Sequence, residues 1–371
     1  MALTTEYNNI TGVMMHSQES DCGEFEKSSP TYARFLAVCQ STGLFRGVSP
    51  RSCSDQQSCH RDSRVGFSFL ELVSCLAILG LIVGLFLPTL IQLRMTAARA
   101  RCSDNLRVSS HAILQFESAH GFYPSSVQNS GPQRSWAVMV LPWLGAEEVA
   151  RLYDYSRHWC EAVNANAVSV QISVFYCPAT PRSPRTATGP VKLKFLDGKQ
   201  IYMSVTAAGC TDYAAIDEVK QDPFIAGETD TRGYGVLKED QFSRRGEISD
   251  GLGNTVMLIE SAGRPELWVM GEFISKSSPD TERKHVSSAP WASRSNDFGL
   301  DGYSPTNPGL DAGPCAINCT NSNEAYSFHP GGAYAACADG SVRFIRDTVT
   351  TRLFARLVTR NGGEAIDWAD Y

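Results

Sequence analysis

The sequence predicts an α+β protein: one long N-terminal helix able to cross a bilayer, followed by a head domain built on an antiparallel sheet. Three observations carry this reading. The run from Leu72 to Leu93, LVSCLAILGLIVGLFLPTLIQL, holds 22 residues without a formal charge. Later stretches alternate apolar and polar residues around Asp-Gly pairs, a strong short-range hairpin signal. The whole chain of 371 residues is 43% hydrophobic and 19% charged, which excludes a mainly disordered chain and a multi-span membrane protein. A formal charge of -6 leaves no basic domain to follow a phosphate backbone, so nucleic acid is not an expected partner.

A helix of 22 residues spans roughly 33 Å, the thickness of the hydrocarbon core. Core helices seldom run so long without a polar face, and a secretory signal has a shorter apolar region, about 7–15 residues. Arg51, Arg61 and Arg64 precede the run and Arg94, Arg99, Arg101 and Arg107 follow it, so charge alone leaves the orientation open. The helix is expected to run from Phe67 to about His120. Its outer half carries a stripe of Met95, Ala98, Cys102, Leu106, Val108, Ile113 and Phe116, and Gly121-Phe122-Tyr123-Pro124 ends it. Trp136–Leu144 and Glu147–Tyr155 then read as a helical pair, Ser169–Cys177 as a strand, and Thr180–Gly189 as a loop. Lys192–Thr206 reads as a hairpin turning at Asp197-Gly198, with further strands at Thr211–Ala215 and Thr255–Glu260. Residues 277–323, rich in Ser, Pro, Asn, Asp and Gly, predict a long surface excursion. Ala325–Ile345 reads as strand, turn, strand. Asp339-Gly340 is expected in a type I′ turn, and Gly331-Gly332 in a second turn or bulge.

Few residues here point to chemistry. Glu71 lies at the edge of the apolar run, where a carboxylate without a partner is expensive; the amino terminus of a neighbouring copy would supply one. His329 and Asp339 invite a catalytic or metal reading. The plainer one outweighs it: Asp339 supplies turn geometry and His329 holds the Gly331-Gly332 turn. The expected catalytic and metal sets are therefore none. His111, His120, His158 and His285 are not at ligand spacing, and neither a G-x-S-x-G elbow nor a phosphate loop occurs. Calcium at Asp297, Asp301 and Asp311 is the weaker cofactor alternative. Trp136, Trp143, Trp159, Trp268 and Trp291 read as core rather than as a sugar-binding surface. If the soluble part is exported, Cys315 and Cys319 form the best disulfide pair and Cys102 with Cys177 the next, tying helix to sheet. Cys75 falls inside the lipid segment.

Two segments carry a resemblance. Gly66-Phe67-Ser68-Phe69-Leu70-Glu71-Leu72 resembles the type IV prepilin and pseudopilin cleavage/methylation motif, with Ser68 where threonine is commoner. The resemblance implies cleavage between Gly66 and Phe67 by a prepilin peptidase and methylation of Phe67. Glu71 then becomes the fifth mature residue, which pairs with the amine of the adjacent subunit. Pro88 becomes the twenty-second, where pilins tend to carry a helix-kinking proline. At the other end, His329, nine residues, and Asp339-Gly340 match the H-x9-DG motif of a large bacterial family of prepilin-like proteins, the domain of unknown function 1559. Cys177-Pro178, Asp250-Gly251 and Asn254–Glu260 are similar to that family as well.

Together they imply a pilin-like fold in three parts. Residues 1–66 are a leader, a disordered extension or the product of a start placed too early; 67–120 are the methylation segment and helix; 121–371 are the head. The implied protein is not an enzyme. It is a single-pass envelope protein with its N-terminus in the cytoplasm and its head in the periplasm or at the surface. Its implied partners are the peptidase, the membrane, and other pilin-like subunits or the type II secretion machinery. A membrane-tethered protein that binds a solute or carbohydrate is the alternative, and an envelope enzyme using His329 and Asp339 is a further rival.

Overall fold

The computed structural model describes residues 68–181, 185–194, 198–220, 233–274, 288–307 and 313–371. Gly66, Phe67, Asp197, His285 and Asp311 lie outside the described residues. The chain divides after Glu71. Before that point the described residues form the first turn of helix α1 (Phe69–His120). That turn is a capping box: the Ser68 hydroxyl accepts the Glu71 N–H at 3.3 Å, and the Glu71 carboxylate accepts the Ser68 N–H at 2.9 Å.

After Glu71, helix α1 has two regimes. Every residue from Leu72 to Leu93 is exposed. Pro88 sits inside the helix without ending it, and Thr89 and Thr96 turn their hydroxyls back to the carbonyls of Leu85 and Gln92. From Cys102 onward one face is buried: Cys102, Asn105, Leu106, Ser109, Ser110, Ala112, Ile113 and Phe116, at spacings of one to three that close one stripe. This corrects the predicted stripe. Met95 and Val108 are exposed, and small polar residues replace them at the seam, where a turn of the sheet approaches the helix. Asn105 is satisfied by donating to the Tyr176 carbonyl at 2.6 Å. Gly121, with φ +80°, closes the helix, its N–H donating to Glu117 O at 2.7 Å.

The head is centred on a five-stranded sheet. Strands β1 (Thr186–Lys194) and β2 (Gln200–Gly209) form a separate antiparallel hairpin, with Lys192 opposite Tyr202. The main sheet is built from β3 (Tyr213–Val219), β4 (Val256–Glu260), β5 (Asp297–Leu300), β6 (Gly332–Cys337) and β7 (Val342–Arg346), in the order β7-β6-β4-β3-β5. Strands β3 and β4 read as nearly unbroken apolar runs because both faces are covered. Tyr213, Ala215 and Met257 join the core that holds Cys102, Leu106, Trp136 and Trp291. Ala214, Ile216 and Ile259 join the core that holds helix α2 (Thr351–Val358) through Phe354, Leu357 and Val358. Thr350 caps α2 by accepting the Leu353 N–H.

Four expectations need correction. Ser169–Cys177 is not a strand: Ser173–Phe175 forms a 3-10 turn that buries Ile172 and Phe175, a spacing of three rather than two. Residues 186–189, predicted as loop, open strand β1. The sheet is not purely antiparallel, because β3 and β5 run parallel with Ala215 opposite Asp297. The predicted excursion over 277–323 is largely interior among its described residues. Trp291 is fully buried and donates its ring N–H to Val170 O, and β5 is an edge strand of the main sheet.

Polar burial there is organised by Arg264, itself 1% exposed. Its guanidinium donates to the carbonyls of Ser261, Ser288, Thr211 and Tyr213, to the Ser288 hydroxyl and to Asn296 Oδ1. Beside it, Arg185 donates to Arg264 O and pairs with the buried Asp212. The Asp212 carboxylate also accepts the N–H groups of Cys177 and Gly263.

Candidate functional site

The H-x9-DG segment is placed by strand β6, whose six residues separate its two ends by roughly 20 Å. His329 and Asp339 therefore do not form a pair. His329 precedes the strand and is buried, its N–H donating to the Ser327 hydroxyl at 3.1 Å. Its ring stands edge-on to Tyr334 and points Nε2 at two groups: Cys177 Sγ at 3.3 Å and Glu260 Oε1 at 3.4 Å. Glu260 ends strand β4 with no exposure; its Oε2 accepts the Tyr334 N–H at 2.8 Å, while Oε1 receives no hydrogen bond. Cys177 is joined by a disulfide to Cys102 of α1. The four side chains offer one ligand atom each, all within 4.8 Å of one another.

At the other end Asp339 shapes the β6–β7 turn, its Oδ1 accepting the Ser341 N–H and hydroxyl at 2.8 and 2.6 Å. The turn is not type I′, since Asp339 is absent from the positive-φ residues. Gly340 N–H donates to Cys337 O and Gly340 alone takes φ +87°, the pattern of a type I turn closed by a left-handed residue. A Cβ on Gly340 would lie 2.9 Å from Leu114 of α1. Ser110 donates to Gly340 O, and Tyr123, just past α1, donates to Ala338 O. The motif is thus a strand with both ends seated on the helix region: His329 against the Cys102 disulfide, Gly340 against Ser110 and Leu114. Gly332, φ +155°, passes so close to β7 that a Cβ would meet Ile345 O at 2.0 Å, which explains a glycine at this point of the strand.

Residues 92–352 match the model of a family described as a protein of unknown function, DUF1559. The chain belongs to the DUF1559 family. No curated protein and no solved structure matches it. The DUF1559 match takes in Cys102, Cys177, Glu260, His329 and Asp339, and leaves Glu71 and Pro88 outside.

Elsewhere in this DUF1559 chain, Cys315 and Cys319 form a second disulfide, with Cα atoms 6.3 Å apart. Cys75 is a free exposed thiol, and Cys160, Cys210 and Cys337 are free and buried. Trp136, Trp159 and Trp291 belong to the core and offer no sugar platform. The acidic residues weighed for calcium are separately engaged: Asp301 pairs with Lys220 at 2.7 Å, and Asp297 accepts the Ser126 hydroxyl at 2.8 Å. Asp297 instead lies beside Asp217 and Glu239, at a cavity of about 230 Å³ lined also by Lys220 and Arg294.

Burial, then the charges of Glu218 and Glu239, pushes Asp217 up to about 7; burial, then Asp217, holds Asp297 well above the usual carboxylate range. A folded value above the unfolded one means stability present below the unfolded value and lost as pH rises through about 7. The head is therefore expected to be less stable at about pH 8.5 than at about pH 5.5, by about 2 kcal/mol from Asp217 alone. Asp217→Asn should flatten that slope. Thermal melts at the two pH values check this, and an unchanged slope in the variant would refute it.

The sequence reading missed Glu260 and the meeting of His329 with Cys177. The one local signal was a carboxylate ending an otherwise apolar strand.

Proposed function

We propose that this DUF1559 chain is a prepilin-like envelope subunit whose work is assembly rather than turnover. The observation that carries the reading is helix α1. From Leu72 to Leu93 it presents a charge-free, mostly apolar surface that none of the described head residues covers, and α1 is long and apolar enough to cross a membrane. Its second half is fastened to the sheet by packing and, by the Cys102–Cys177 disulfide, to the segment that follows the 3-10 turn. In the same register stand Gly66, Phe67, Glu71 and Pro88. Removal of the leader exposes the amine of Phe67, and Glu71 of one copy neutralises the amine of the next. In lipid that pairing replaces two costly lone charges and favours one stagger between helices. The capping box leaves Glu71 able to do this, because a carboxylate offers about four acceptor sites.

The test is N-terminal sequencing of the envelope fraction from cells with and without a prepilin peptidase. The expected mature terminus is N-methylated Phe67 in the first and the uncut chain in the second. An uncut chain in both would refute the reading. The rival, a tethered binding protein that uses α1 only as an anchor, is separated by Cys75. Oxidative cross-linking in the membrane is expected to join copies through Cys75 on neighbouring helices, and to fail in Cys75→Ser. Monomers alone would favour the tether.

A further inference from the structure

We propose that Cys102, Cys177, His329 and Glu260 form a redox-gated site for a divalent cation of the zinc class. When the cysteines are oxidised the site is closed as a disulfide; when they are reduced it presents four ligands. The reasoning starts from the donor set. Two sulfurs, one imidazole nitrogen and one carboxylate oxygen lie within 4.8 Å of one another. Thiolate and imidazole donors suit zinc and disfavour calcium and magnesium, which take oxygen ligands. All four residues are buried, and they come from separate elements: α1, the segment after the 3-10 turn, the end of β4 and the approach to β6.

Two further observations separate this cluster from an ordinary polar contact. Glu260 Oε1 is buried without a hydrogen bond, a costly state for a carboxylate oxygen, and it faces the His329 ring. The ligands are also held from behind. Tyr334 N–H fixes Glu260 Oε2 and the Tyr334 ring packs edge-on to the imidazole, the kind of outer support that orients metal ligands.

The chemistry balances as follows. A dithiol reductant supplies two electrons and two protons; the Cys102–Cys177 bond breaks, two S–H bonds form, and the reductant leaves as its own disulfide. The cation then displaces both thiol protons and takes two thiolates, His329 Nε2 and Glu260 Oε1, at about 2.3 Å for sulfur and about 2.0–2.2 Å for nitrogen and oxygen. A disulfide oxidant removes the two electrons again, re-forms the S–S bond and releases the ion, because the thiolate is the ligand. In either state α1 stays joined to the head, by metal when reduced and by the disulfide when oxidised.

The experiment uses the full chain in detergent, with ZnCl2 as the probe. Wild type is reduced with a phosphine, loaded, desalted and assayed for zinc by mass spectrometry, beside oxidised wild type and Cys102→Ser/Cys177→Ser. Reduced wild type is expected to hold about one zinc per chain more than either. His329→Gln and Glu260→Gln should weaken retention by at least about 10–100-fold, the loss that removing an outer-shell partner alone causes. Equal zinc in reduced wild type and the double variant, or in oxidised wild type, overturns the proposal. Cobalt titration of reduced wild type guards against a variant that fails to fold: a tetrahedral spectrum with a thiolate-to-cobalt band is expected. Its absence overturns the proposal, and so does a band that survives undiminished in folded His329→Gln.

Discussion

Arg264→Met is expected to leave the head largely unfolded. The methionine keeps most of the stem volume but removes the guanidinium donors from a site where four carbonyls, a hydroxyl and an amide oxygen converge, of which Tyr213 O keeps the Thr211 hydroxyl as a donor. Each buried acceptor left without a partner costs about 1–3 kcal/mol, so the sum reaches the whole stability of an ordinary domain, about 5–15 kcal/mol. Asp212 also loses a neighbouring positive charge; in the intact protein that carboxylate is the largest influence opposing burial, which draws Arg264 down to about 10. Arg264→Lys should recover part of the loss, since three donors replace five. Circular dichroism melts of the three chains in detergent decide it. A Met variant within about 1 kcal/mol of wild type would show that the carbonyls find other donors.

The second large effect is expected from Cys102→Ala/Cys177→Ala. The bond closes a loop with a sequence separation of 75 residues, and the chain-entropy argument assigns it about 4 kcal/mol. The Cys315–Cys319 bond closes a separation of only 4 residues and should be worth about 2 kcal/mol. The melting temperature of the first double variant should therefore fall by on the order of 10 °C and that of the second by clearly less. Equal shifts would mean that loop length does not govern the effect here.

The parts of the fold legible from sequence are those where one periodicity or one turn residue dominates. The charge-free run announced α1, Gly121 its end, and the apolar run before Glu260 announced β4. The hairpin around Gly198 was readable from its alternation, although β1 and β2 extend beyond the predicted limits. Helix α2 carried a readable signal as well, a Thr350 cap followed by Phe354, Leu357 and Val358, yet it was absent from the predicted elements. What could not be read is burial achieved by hydrogen bonding. Ser288 and Asn296 look like loop residues until Arg264 supplies their partners, and Trp291 until Val170 O accepts its ring N–H, so residues 277–323 read as a surface excursion. The Asp339-Gly340 turn failed for a subtler reason: the pair allows type I′, but only Gly340 uses positive φ.

The candidate site was legible by halves. His329 and the two cysteines stood out as residue types, but their meeting depends on four stretches of chain separated by 69 to 83 positions, a distance over which no local pattern runs. Glu260 is the least visible member, because it closes an apolar strand and is recognised only when β6 delivers Tyr334 and His329 beside it. The two ends of the H-x9-DG segment gained a shared meaning only once α1 was seen beneath both.

The bond at Cys102 also decides how force travels. A pull applied to the exposed apolar end of α1 runs down the helix and reaches a covalent junction at Cys102, before the stretch from Leu106 to Phe116 has to resist it. The load then passes directly into the chain at Cys177 and the network around Asp212. Under tension the exposed portion can stretch or uncoil while the embedded turns stay slack, so the anchor can be tugged without peeling its root from the sheet.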